Sequence, residues 1–140
     1  MARQEREEWF WQIGIDIQRM SEELSRSGPT LTSRMFWEPR VDLIEDKSCI
    51  ILKAEIGGIR SEDTVLIYSE ERNSLLIRGT RREEDIPDCE RVGCYQLEIY
   101  YGEFEREIKL PELPLDPQSI KAHYRNGFLI VTIPKRERIV

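Results

Sequence analysis

The sequence predicts an all-β protein, an antiparallel immunoglobulin-like β-sandwich with an N-terminal amphipathic helical arm and a short C-terminal extension. From residue 40 onward apolar side chains recur with a period of two, turn residues are frequent, and no helical periodicity is found. The dipeptide Asn126-Gly127 predicts a tight hairpin, because both positions of such a turn need a positive φ. Short strands joined by frequent turns are typical of two packed antiparallel sheets.

The predicted helical arm comes first in the chain. Residues 5–26 predict an amphipathic helix because apolar side chains recur at spacings of three and four. Ser27, Gly28 and Pro29 end this pattern. The predicted organisation is an arm with its linker (1–36), a sandwich (37–134) and an extension (135–140). The apolar residues of the arm are Trp9, Phe10, Trp11, Ile13, Ile17, Met20 and Leu24.

The predicted strands of the sandwich follow in order. Residues 50–56 alternate between apolar and polar or outward positions, as in a strand with one buried face. Residues 64–68 are apolar almost throughout, so this strand needs cover on both faces or leaves one face for a partner. Strands are also predicted at 75–78, 95–101 and 104–110, with a charged insert between the first two.

Arg106 is the discordant residue of the last of these strands. It is in register with Phe104, Ile108 and Leu110, which predict a buried face. An unpaired buried guanidinium is very costly, so Arg106 needs a partner.

Composition and charge exclude several classes of function. The net charge of −6 argues against binding a phosphate backbone, so no nucleic acid partner is expected. No run approaches the roughly 18 apolar residues of a membrane span, and the acidic N-terminus lacks the apolar region of a signal peptide. Three cysteines without framework spacing suit a reducing compartment, which predicts a cytoplasmic protein.

The sequence does not predict an enzyme or a metalloprotein. His123 is the single histidine, and no nucleophile elbow, P-loop or His-x-x-x-His motif is present. Cys49, Cys89 and Cys94 with His123 do not form two ligand pairs, so no metal site is expected. No catalytic residue and no cofactor is predicted, while a redox role for Cys89 and Cys94 stays open.

Two blocks in the last third of the chain carry a family resemblance. The first is Phe104-x-Arg106-x-Ile108-x-Leu110-Pro111, and the second is Ala122-x-x-x-Asn126-Gly127-Phe128-Leu129. In this order and at this separation they resemble the α-crystallin domain of the small heat-shock proteins, of the bacterial and plant type with a long strand-exchanging loop. The resemblance covers roughly residues 37–134 and departs at Gly57, where the family usually has proline.

The resemblance implies an ATP-independent molecular chaperone. Such a holdase binds partly unfolded proteins through apolar surfaces and suppresses their aggregation, with ATP-dependent chaperones acting downstream. The alternative is a CS-type co-chaperone adaptor, which has the same sandwich but binds a folded chaperone. Three fates are open for the arm: it packs within its own subunit, pairs with other subunits, or binds foreign chains.

The resemblance also implies a dimer formed by strand exchange. A strand within 95–99 of the insert would join the partner's edge near 41–43. Arg106 would meet acids of the partner, with Glu98, Glu103 and Glu105 as the candidates. An intrachain salt bridge is the other interpretation of Arg106. The implied interface residues are Val41, Leu43, Tyr95, Leu97, Glu98, Ile99 and Arg106.

A docking groove is implied between 64–68 and 120–124. Its walls would include Val65, Ile67, Ala122 and Tyr124, and its occupant would be a C-terminal Ile-x-Ile/Val segment of a neighbouring subunit. Here Ile139 and Val140 are the candidate anchor, without a second aliphatic residue at that spacing. One missing aliphatic contact is worth roughly 1.5–3 kcal/mol, so assembly into a larger homo-oligomer is expected to be weakened.

Overall fold

A computed structural model describes residues 9–12, 36–84 and 86–136, and these residues form two packed antiparallel sheets. Short 3-10 helices at Ser61–Asp63 and Pro117–Ser119 join strands between the sheets. The strands are β1 (Trp9–Gln12), β2 (Arg40–Glu45), β3 (Cys49–Glu55), β4 (Thr64–Ser69), β5 (Ser74–Arg81), β6 (Gly102–Lys109), β7 (Lys121–Arg125) and β8 (Phe128–Pro134).

The sheet topology confirms the predicted antiparallel sandwich. One sheet has five strands in the order β1-β7-β8-β3-β2, and the other has three in the order β4-β5-β6. The predicted hairpin joins β7 to β8, and its turn residues Asn126 and Gly127 have φ angles of 53° and 82°. Positive φ at both positions is the geometry that matches the twist of the flanking strands. No helix in the described ranges is long and apolar enough to span a bilayer.

The core lies between the sheets and follows the predicted period of two. In β3, Ile50, Leu52 and Ala54 are buried while the residues between them are half-buried. Leu75 and Ile77 of β5 are fully buried in the opposite sheet. Each fully buried aliphatic side chain contributes about 1.5–3 kcal/mol relative to an exposed one, so these interleaved faces supply most of the stability.

The apolar strand β4 is covered on both faces along most of its length. Leu66 and Tyr68 lie opposite core-facing residues of β5, and Ile67, which points the other way, is also buried. Val65 is the exception, with 49% of its surface exposed. Burial raises the pKa of Tyr68, and the nearby charge of Glu70 raises it further.

The N-terminal segment departs from the predicted helix where it is described. Residues 9–12 form β1, which pairs with β7 so that Trp9 lies opposite Tyr124 and Gln12 lies opposite Lys121. The helix prediction is therefore wrong at these four residues. The edge of β7 offers a backbone ladder, and aromatic residues favour strands, so a non-local pairing outweighs the local spacing. The other predicted arm residues, Ile13, Ile17, Met20 and Leu24, lie outside the described residues.

Candidate functional site

A long loop of exposed apolar side chains joins β5 to β6. We call residues 82–101 the crossing loop, of which Asp85 lies outside the described residues. Tyr95 is 99% exposed, Leu97 75% and Ile99 66%, and these are three of the residues predicted for an interface. Soluble proteins seldom leave so many large apolar side chains together in water. The crossing loop is therefore a candidate interaction surface.

The predicted strand at 95–101 is wrong for the single chain. These residues form no ladder with any described strand. Within the described part of the loop, Glu98 accepts a hydrogen bond from the side chain of Gln96 at 3.1 Å. A strand needs a neighbouring edge to satisfy its backbone groups. The apolar and polar residues alternate here, but no described strand of the same subunit pairs with the segment.

Strand β2 is an edge strand with exposed apolar residues. Within the described ranges β2 pairs only with β3, so its other side presents unpaired backbone groups. Leu43 is 39% exposed and Ile44 45%, whereas Val41 is half-buried against the core. The predicted interface residues of β2 thus lie on an edge that can accept another strand.

Arg106 lies on the face that the sequence predicted. It stands opposite Ile77 and shares its face of β6 with the buried Phe104 and Ile108, but the guanidinium is only half-buried at the edge of the sheet. Its Nη1 donates to the carbonyl oxygen of Pro39 at 3.3 Å. A guanidinium has five donors, so one neutral acceptor leaves most of them for other partners.

None of the three candidate acids is paired with Arg106 in this structure. Glu105 points to the other face of β6 and forms an ion pair with Arg78 at 3.0 Å. Glu103 is exposed, and Glu98 lies in the crossing loop. Within residues 36–84 and 86–136 no acid forms a salt bridge with Arg106, and its role at a dimer interface stays a prediction.

An aromatic cluster closes the base of the crossing loop. Arg81, the last residue of β5, places its guanidinium 4.3 Å from the ring centroid of Trp37 and donates from Nε to the carbonyl oxygen of Tyr100 at 2.9 Å. The rings of Trp37 and Tyr100 stack with centroids 6.0 Å apart. No sequence pattern predicts a role for Trp37 or Arg81. Their separation along the chain carries no pattern that would have revealed the contact.

The four predicted groove residues do not line one open groove in this structure. Ala122 and Tyr124 of β7 are buried, and the Tyr124 hydroxyl donates to the carbonyl oxygen of Ile56 at 2.6 Å. Ile67 is buried as well, and only Val65 is exposed. Strand β1 occupies the edge of β7. The docking role of these residues stays a prediction, and the anchor residues Ile139 and Val140 lie outside the described residues.

The described residues do not assemble a metal-ligand cluster. Cys89 and Cys94 are exposed, free thiols in the crossing loop, and Cys49 is half-buried at the start of β3. No group of three or more histidine, cysteine or acidic side chains with metal-binding geometry is found in the described ranges. The features that remain are a sandwich, an exposed edge, an exposed apolar loop and an aromatic cluster at its base.

Comparison with known families identifies the family to which this architecture belongs. Residues 42–140 match the model of the Hsp20/alpha crystallin family. This chain belongs to the small heat-shock proteins. The resemblance inferred from the Phe104–Pro111 and Ala122–Leu129 blocks is thereby confirmed. The family is one of chaperones rather than enzymes.

Individual relatives come from bacteria and plants. The chain is 33% identical over 100 residues to Small heat shock protein C2 of Rickettsia felis, across 71% of this chain and 62% of that protein. It is 33% identical to the 18.1 kDa class I heat shock protein of Oryza sativa subsp. japonica, across 79% of this chain and 66% of that protein. The matched part of this chain therefore spans less than two thirds of the length of each of these two curated relatives.

A solved structure supports the same assignment. The crystal structure of a small heat-shock protein from Xylella fastidiosa, described as having a distinct high order structure, superposes with a TM-score of 0.61. The two sequences are 32% identical, and the match covers 74% of this chain and 91% of that one. The α-crystallin fold of this small heat-shock protein is thus supported by sequence and by structure.

Proposed function

We propose that this small heat-shock protein is an ATP-independent holdase that binds partly unfolded proteins and suppresses their aggregation. The observation that carries the proposal is the combination, in a chaperone-family sandwich, of an exposed apolar loop with an edge of β2 that pairs with no other described residue. Partly unfolded clients expose the complementary features, namely apolar segments and unpaired backbone. Burial of apolar area contributes about 25 cal/mol per Å², so such surfaces bind unfolded chains without any chemical step.

The N-terminal arm is proposed to bind clients as well. Strand β1 is only four residues long and lies at the end of its sheet. The net contribution of each backbone hydrogen bond to stability is about 0.5–1.5 kcal/mol. Releasing this strand from β7 therefore costs a few kcal/mol of free energy, apart from the contribution of its side chains. A cost of this size permits exchange: the arm leaves the edge of β7, and its apolar residues, together with that edge, become available to a client.

The working unit is proposed to be a dimer formed by exchange of the crossing loop. Residues 95–99 would pair with the partner's β2 near 41–43, which buries Leu97 and Ile99 and gives the predicted strand the edge that it lacks in the single chain. The exchanging segment is joined to β5 by residues 82–94, which can reach about 40 Å, but to β6 only by residues 100 and 101, which can reach about 10 Å. The partner's β2 would therefore lie close to the start of β6. The half-buried guanidinium of Arg106 would then meet an acid of the partner.

Larger assembly and cellular context belong to the same proposal. Ile139 and Val140 would dock beside β4 and β7 of a neighbouring subunit, in competition with β1 for the edge of β7. Loaded complexes would pass clients to ATP-dependent chaperones. The proposed place of action is the cytoplasm, because two exposed free thiols suit a reducing compartment.

Light scattering of a heat-labile enzyme tests the holdase. At equimolar subunits the protein should suppress most of the aggregation, equally with and without ATP. The chain lacking residues 1–33 should suppress less if the arm binds clients, and full protection would restrict client binding to the sandwich and loop. No suppression by the full chain, together with stable binding to a folded chaperone, would favour the CS-type adaptor instead.

A further inference from the structure

The crossing loop begins and ends at one closed point. Arg81 is the last residue of β5 and stands opposite Gly102, the first residue of β6. Its guanidinium donates from Nε and Nη2 to the carbonyl oxygen of Tyr100 and from Nη1 to that of Gly57 at 3.3 Å. Arg81, which precedes the loop, is therefore hydrogen-bonded to Tyr100, which lies near the end of the loop. We call this arrangement of Arg81, Trp37 and Tyr100 the neck.

Aromatic rings enclose the same guanidinium. It lies 4.3 Å from the centroid of Trp37 and 5.9 Å from that of Tyr101. Trp37 in turn stacks on Tyr100 with an angle of 18° between the ring planes. A guanidinium over an aromatic face is attracted by the ring quadrupole, and its hydrogen bonds to backbone carbonyls add to that stabilisation. The neck thus fixes the backbone at Tyr100 from two directions.

Trp37 is a fixed platform for this contact. Its backbone N–H donates to Glu103 at 3.2 Å and its carbonyl accepts from Glu105 at 3.1 Å, so it adds to the end of β6. Its ring lies 5.2 Å from that of the fully buried Phe104. The neck is therefore anchored to the core, whereas the apolar side chains of residues 95–99 are largely exposed.

We propose that Arg81 is a positioning residue for dimerisation: by closing the neck, it presets the direction in which the crossing loop leaves the sandwich towards a second copy of this chain. The inference rests on the proposed loop-exchange dimer and deepens it. A loop that leaves from a fixed point loses less conformational freedom on association than one that leaves from an open base. Arg81 would act without touching the partner.

The test separates opening of the neck from loss of the dimer. In full-length protein carrying Trp9→Phe and Trp11→Phe, Trp37 is the remaining tryptophan, so its emission and acrylamide quenching report on the neck. Arg81→Gln is compared with Arg91→Gln, which makes the same charge change in the loop at an exposed ion pair with Glu83. The dimer dissociation constant of each protein is measured by sedimentation velocity over a dilution series.

Arg81→Gln should increase the quenching of Trp37 and raise the dimer dissociation constant about tenfold or more, on the strength of the lost contacts. Arg91→Gln should change neither quantity appreciably. If Arg81→Gln does not fold, Arg81→Lys carries the test, since it keeps the charge but loses the forked donors, and an intermediate rise is expected.

Two results would overturn the inference, and they are distinguishable. Increased quenching with a dissociation constant within twofold of the parent would show that Arg81 supports only its own subunit, and the loop-exchange dimer would stand. A parent protein that is monomeric throughout the dilution series, or a dimer indifferent to changes at Leu97 and Ile99, would remove the proposed dimer itself.

Discussion

Truncation of two loop residues separates dimer stability from subunit stability. Leu97 is 75% exposed and Ile99 66%, so changing both to alanine should cost the single sandwich little. Full burial of such a side chain is worth about 1.5–3 kcal/mol. After allowance for the part already buried and for the area that alanine keeps, each truncation should cost the proposed interface about 1 kcal/mol. A symmetric dimer carries each change twice, so the total is about 4 kcal/mol, roughly a thousandfold in dissociation constant.

The assay is sedimentation velocity on a dilution series, with thermal unfolding recorded in parallel. Val92→Ala is the matched control, because Val92 is 97% exposed in the same loop but lies outside the exchanging segment 95–99. The double variant should dissociate at far higher concentration than the parent, while the control should resemble the parent. An unchanged dissociation constant for the double variant, or an equal effect from Val92→Ala, would show that Leu97 and Ile99 are not buried in the dimer.

Three further perturbations test other parts of the account. Arg106→Gly should weaken the dimer by about tenfold or more if a partner acid binds the guanidinium, and an unchanged sedimentation profile would contradict that role. Gly57→Pro should stabilise the fold by about 0.5–1 kcal/mol, a rise of a few degrees in melting temperature, because its N–H makes no hydrogen bond within the described residues and its φ is not positive. Gly58→Pro is the control and should destabilise, since φ there is +68°. Because the pKa of Tyr68 is raised on folding, its contribution to stability is present below pH about 10 and is lost as pH rises through the folded pKa. Urea midpoints from pH 8 to 11 should therefore fall less steeply for Tyr68→Phe, and parallel profiles would contradict this.

The sandwich could be predicted because its signals are local. The alternation through β3 and the Asn126-Gly127 turn each constrain a few neighbouring residues, and backbone sterics and burial then leave one arrangement. The face of Arg106 was predicted for the same reason. Its acceptor, Pro39, was not, because a contact across 67 residues leaves no local pattern.

The errors arise where pairing between distant segments decides the structure. Residues 9–12 have helical spacing but extend along the edge of β7, and residues 95–101 have strand spacing but pair with none of the described strands. The neck formed by Trp37, Arg81 and Tyr100 was missed because it joins three separate segments. In each case a sheet edge or an aromatic contact, and not the local sequence, determines the conformation.

This small heat-shock protein is proposed to bind partly unfolded clients. The most direct measurement is size-exclusion chromatography, with protein quantification of each fraction, after heating the chain with a heat-labile enzyme in the absence of nucleotide. We predict that the enzyme stays in solution and elutes with the chain in a complex larger than either protein alone, with a yield that rises to saturation as the chain is added. An enzyme that precipitates to the same extent with and without the chain, or that stays soluble without coeluting, would contradict the account.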